Sequence, residues 1–93
     1  MKDTLAGPEL RALKARAQLL KPVVRIGKDG LSPGLLQALD EALTSHELVK
    51  VKFDEFKEEK KQLSPELAQK VSAHIIMRVG NVLVLFRRKP SEK

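Results

Sequence analysis

The chain has 93 residues, no cysteine and a formal net charge of +6. Its length suits one domain with a modest core, and the lack of cysteine excludes disulfides, thiolate metal sites and cysteine nucleophiles together. No apolar run is long enough to span a membrane and none follows the basic N-terminus, so we expect a soluble, cytoplasmic protein without a signal peptide or a membrane partner.

The first element begins near Pro8, a residue suited to a helix's first turn, and Leu10, Leu13, Ala17 and Leu20 continue it at helical spacing. Arg11, Lys14, Gln18 and Lys21 follow one residue further round, so core and charge occupy adjacent faces. Lys21-Pro22 ends this helix, because a residue before proline avoids the helical region. Val23 to Ile26 then reads as a short strand, with Arg25 reaching solvent.

Gly27-Lys28-Asp29-Gly30 follows directly. Paired glycines let a backbone come close to a phosphate, the intervening N–H groups can converge on an anion, and Lys28 adds a mobile positive charge. Asp29 is discordant there, since its carboxylate repels phosphate; we expect it to shape the loop by hydrogen-bonding within it. Gly-x-x-Gly alone is a common turn, and the strand before it and the helix after it are what make this one a candidate phosphate loop. The KH module carries the same tetrapeptide between two helices, and no Gly-x-x-x-x-Gly-Lys nucleotide loop is present.

Ser32 caps the next helix and Pro33 opens it, with Leu35, Leu36, Leu39, Ala42 and Leu43 on its apolar face and its end near Ser45 or His46. The Ser32 hydroxyl should take the N–H of Gly34 or Leu35, which leaves the loop amides from Lys28 to Leu31 as the main anion donors. Alternation begins next: Val49, Val51 and Phe53 face inward, Lys50 and Lys52 outward. Asp54 to Lys61 is a mixed-charge connection, Ser64-Pro65 repeats the helix-opening signal, and Leu67, Ala68 and Val71 give a third core helix. Ile75 to Val79 and Val82 to Phe86 form a closing hairpin around Gly80-Asn81, a pair suited to a type II′ turn. Arg87-Arg88-Lys89 and Pro90 end the folded part.

Charge is uneven along this order: residues 1–30 sum to +4, residues 31–47 to −3, residues 48–63 to +1 and residues 64–93 to +4. Positive ends around an acidic middle suggest a one-sided basic surface, the footprint of nucleic-acid binding. The two histidines, His46 and His74, have no carboxylate or serine pattern beside them and read as helix-end and packing residues. Only three aromatic residues occur, and Phe53 and Phe86 lie in strands, leaving Phe56 as the one stacking candidate. Phosphate and shape recognition, with strong salt dependence, is therefore favoured over reading single-stranded sequence.

The run Leu20-Lys21-Pro22-Val23-Val24-Arg25-Ile26-Gly27-Lys28-Asp29-Gly30-Leu31, the segment Glu41 to Lys52 and the ending Arg78 to Arg87 together resemble the YhbY family of bacterial CRM (chloroplast RNA splicing and ribosome maturation) proteins. Phe86 stands where that family generally has tyrosine, and the glycine loop keeps the family pattern. The resemblance implies a compact α/β (α+β) domain of order α-β-α-β-α-β-β, a four-stranded mixed sheet with helices, similar to the C-terminal domain of translation initiation factor three. It also implies RNA binding and, for single-domain bacterial members, association with precursors of the large ribosomal subunit.

We therefore expect one RNA-binding domain over residues 8–90 with flexible termini at 1–7 and 91–93, monomeric, non-enzymatic, and without metal or cofactor. Its interface would comprise Gly27, Lys28, Asp29 and Gly30 with Arg25, widened by Arg11, Lys14, Lys21, Arg87 and Arg88, and its partner would be ribosomal RNA. The alternative is a protein adaptor that docks a basic ribosomal protein through Asp40, Glu41 and Glu47.

Overall fold

A computed structural model describes residues 7–88. Expectations for residues 1–6 and 89–93 lie outside the described residues, whereas Gly7, assigned above to a flexible terminus, opens the first helix. The order is α1 (Gly7–Ala17), β1 (Val24–Ile26), α2 (Pro33–His46), β2 (Leu48–Phe53), a 3-10 turn (Lys57–Glu59), α3 (Lys60–Lys70), β3 (His74–Val79) and β4 (Val82–Phe86). The strands form one mixed sheet in the order β1-β2-β4-β3; β1 runs parallel to β2, and the other pairs are antiparallel.

The sheet is covered on both faces. Val24, Ile26, Val49, Val51, Phe53, Leu83 and Leu85 pack against Leu39 and Leu43 of α2 and Leu67 and Ala68 of α3. On the opposite face, Leu13 and Ala17 of α1 pack on Leu48, Ile76, Val84 and Phe86. The result is a single α+β domain of three helices and a four-stranded mixed sheet, the class read from the sequence.

Ser32 caps α2 as expected, its hydroxyl accepting the Leu35 N–H at 3.2 Å, with Pro33 in the first turn. The hairpin turn also follows its residues: Gly80 has a φ of +58°, and Asn81 is not among the positive-φ residues, the pattern of type II′.

Four local features differ from the sequence reading. Helix α1 stops at Ala17 rather than continuing to Leu20; Leu19 and Leu20 donate to the carbonyls of Arg16 and Ala17 in a tightening last turn, so Leu20 is exposed and Lys21 is not on the helix. Helix α3 starts at Lys60, with Ser64-Pro65 inside it. Leu63 packs on the α2–α3 core, which requires a helical turn ahead of Ser64, and the buried Ser64 hydroxyl donates to the Lys60 carbonyl at 2.6 Å instead of capping. The charged connection is accordingly ordered over residues 57–61 as a 3-10 turn and a helix start.

Third, Lys50 and Lys52 are half-buried on the α1 side of the sheet, and the Lys50 ammonium donates to the Leu20 carbonyl at 2.9 Å. Fourth, the β3 ladder steps from Ile75↔Leu85 to Met77↔Val84, so Ile76 is bulged and both Ile76 and Met77 reach the α1 cluster.

Candidate functional site

Because β1 and β2 are parallel neighbours, the loops that leave them must emerge at one end of the sheet. That end carries residues 27–30 after β1, residues 54–57 after β2, and the Gly80-Asn81 turn. The Gly30 N–H donates to the Gly27 carbonyl at 3.0 Å, closing the glycine loop as a turn, and Gly30 takes a φ of +62° that only glycine adopts at little cost. The Gly30 amide is thus used within the loop. The N–H groups of Lys28, Asp29, Leu31 and, at the start of α2, Gly34 have no acceptor among the described residues.

Gly27 differs from Gly30. Its φ is not positive, and a methyl group built there would meet nothing within 4 Å. It lines a concavity of about 380 Å³ together with Arg25, Lys28, Asp29, Gly30, Ser32 and Leu35. Lys28 and Asp29 are exposed; the Asp29 carboxylate makes no hydrogen bond among the described residues, contrary to the expectation that it would bond within the loop.

The 54–57 segment is fastened to the same place. The N–H groups of Asp54 and Glu55 both donate to the carbonyl of Ile26, the last residue of β1, each at 3.0 Å. Arg25 Nε donates to Asp54 Oδ2 at 2.8 Å. That hydrogen bond, aided by the charges of Arg25, Lys52 and Lys57, holds the Asp54 carboxyl below the ordinary carboxylate range. Phe56 sits in the left-handed region, φ 57° and ψ 35°, a conformation that costs a bulky residue about 1 kcal/mol. Its ring lies over the α-carbon of Gly30, where a built Cβ would come within 3.4 Å of it.

The other proposed basic residues do not line this concavity. Arg87 and Arg88 follow β4 at the opposite end of the sheet, about 16 Å away along a strand of five residues. Arg87 donates to Asp40 Oδ1 and to the carbonyls of Asp40 and Val71 and the Thr44 hydroxyl, joining α2 to the end of α3. Arg88 pairs with Glu9 of α1 at 2.8 Å and lies over the Phe86 ring. Arg11 and Lys14 are exposed on α1, and Lys21 on the segment after it. The structure therefore brings together Arg25 and residues 27–30 and holds Arg87 and Arg88 at the other end of the sheet.

Of the acidic residues of the adaptor alternative, Asp40 is held by Arg87, Glu41 accepts from Gln37, and Glu47 ends α2 with a φ of 63°. His46 closes α2, and His74 stacks on Phe86 with ring centroids 6.5 Å apart. The sequence reading did not connect Asp54, Phe56 and Lys57 with the glycine loop. A signal was present: a strand-helix-strand unit makes its two strands parallel by default, which puts residues after the second strand beside the loop after the first.

Among the described residues, no helix is long and apolar enough to cross a membrane. The CRS1 / YhbY (CRM) domain model matches residues 5–87. A protein of Haemophilus influenzae named "RNA-binding protein" is 38% identical over 91 residues, covering 97% of this chain and 90% of that protein. A Bacillus subtilis protein named a "probable RNA-binding protein" is 28% identical over 90 residues, covering 96% and 94% respectively. The solution structure of a Staphylococcus aureus protein, described as hypothetical and as a candidate RNA binding protein, superposes with a TM-score of 0.78 at 27% identity, covering 97% of this chain and 95% of that one. In sequence and in fold, the chain belongs to the CRS1/YhbY family of CRM domains.

Proposed function

We propose that this chain is a non-catalytic RNA-binding protein that grips backbone phosphate in the concavity of the glycine loop. Gly27 carries this reading. Neither its backbone angle nor its neighbours require glycine, and its bare backbone on the wall of the concavity leaves room for a phosphate to approach closely. Lys28 and Arg25 supply positive charge at the same wall, and the amides of Lys28, Asp29, Leu31 and Gly34 supply donors. The names of the relatives support RNA as the ligand. The family resemblance supports ribosomal RNA within precursors of the large subunit as the target, and we further propose a cytoplasmic, monomeric protein that works without metal or cofactor.

The test is a titration of RNA binding against salt. Gly27→Leu should fold with wild-type stability to within about 0.5 kcal/mol, as an unobstructed surface change does, yet bind RNA at least about tenfold more weakly. The Lys28→Ala, Arg25→Ala double variant should lower the slope of log affinity on log salt by about 0.7 to 0.9 for each phosphate it no longer neutralises. Wild-type binding and slope in both variants would remove the loop from the interface. Crosslinking in cells followed by sequencing of the bound RNA tests the ribosomal target; recovery of other transcripts alone would refute it.

A further inference from the structure

We propose that Phe56 is a nucleobase-stacking site, so that RNA held at the glycine loop presents an unpaired base to its ring; this inference rests on the RNA-binding reading. Phe53 and Phe86 are buried in the sheet, while Phe56 is 39% exposed and belongs to neither apolar cluster. Part of the ring is thus open to solvent, although the backbone holds the residue in a left-handed conformation that bulky residues avoid. The position is also rigid: the Ile26 carbonyl receives the amides of Asp54 and Glu55, and the Phe56 carbonyl receives that of Glu59.

The ring rests on the glycine loop. A Cβ at Gly30 would lie 3.4 to 3.9 Å from three ring atoms, ordinary van der Waals contact, so the ring sits directly against the loop at a position whose φ of +62° favours glycine. Gly30 also lines the concavity proposed for phosphate. One glycine thus touches the phosphate wall and the aromatic ring, and a nucleotide carries both groups on one sugar. An aromatic side chain stacks on any of the four bases, so the site selects an unpaired base over a paired one and not a particular letter. RNA taken here accordingly offers at least one unpaired base, such as a loop or bulge presents.

The chain contains no tryptophan, so Phe56→Trp in the full protein gives a single emitter at the site. The probes are an RNA hairpin with an adenosine loop and the same hairpin with abasic residues in that loop, which share stem and phosphate charge. The adenosine hairpin should quench the tryptophan emission and bind wild type about tenfold more tightly than the abasic one, within the range base stacking supplies. Phe56→Leu, which keeps an apolar brace against Gly30, should erase that preference and leave binding of the abasic hairpin unchanged. Equal binding of the two hairpins by wild type, or an undiminished preference in Phe56→Leu, would overturn the stacking site, and salt-dependent binding of both would leave the phosphate grip standing. Failure of both hairpins to bind at low salt would overturn both readings.

Discussion

Arg25 and Arg87 each donate to an aspartate, at opposite ends of one sheet, and they do different work. Arg87 has a side chain only 21% exposed and makes four hydrogen bonds, which fasten α2 to α3. Arg25 has a side chain 57% exposed and makes one, to Asp54. A guanidinium enclosed by carbonyls and a carboxylate is committed to the fold, since releasing it strands several acceptors. A guanidinium on one exposed partner loses little when a phosphate replaces that partner. The number of partners and their burial, rather than positive charge alone, separate the structural arginine from the one available to a ligand.

Removing each arginine tests the contrast most directly. Arg87→Ala should lower stability by about 2 kcal/mol, because Asp40 and the Val71 carbonyl lose their donor, while the protein that remains folded should bind RNA almost as wild type does. Thermal unfolding and a binding titration below the transition check the two halves. Arg25→Ala should reverse the pattern, with RNA affinity falling about fivefold and stability changing by less than about 0.5 kcal/mol. A variant of Arg25 that unfolds early would show that its aspartate pair belongs to the framework after all.

The smallest effect sharpens the role of Asp54. Asp54→Asn removes the negative charge that competes with phosphate for Arg25, so RNA affinity at neutral pH should rise about twofold to threefold, read as a shift in the binding midpoint. Acid supplies the complementary measurement. A carboxyl whose folded pKa is depressed stabilises the protein fully above its unfolded value, and that contribution fades as pH falls through the folded value. The Arg25–Asp54 contribution should therefore be present above about pH 5 and decline below about pH 4, and Asp54→Asn should flatten that part of the stability profile.

Much of the framework was legible because local and tertiary signals agreed. Ser32-Pro33 caps α2, the alternation at Val49, Val51 and Phe53 buries that side of β2, and Gly80-Asn81 turns the hairpin. Where a tertiary demand overruled a local signal, the local reading failed: Ser64-Pro65 has the composition of a cap, but burial of Leu63 extends α3 past it. The glycine loop was readable as four adjacent residues. Its partner Phe56 needed the topology as well, since the contact with Gly30 exists because β1 and β2, far apart in sequence, run side by side. The partners of Arg87 were hidden for the same reason: Asp40 lies 47 positions away, so the tie this arginine makes in the fold is not visible in the basic tail.

Strand β1 contributes only three residues and lies at the margin of the sheet, paired with β2 alone. So short an edge strand is held chiefly by its side chains, and Val24 and Ile26 are both buried in the larger apolar cluster. Its last residue anchors both the glycine loop and the amides of Asp54 and Glu55. Burial of Ile26 therefore sets the glycine loop and the 54–57 segment in place together, so a ligand that engaged one would find the other already positioned beside it.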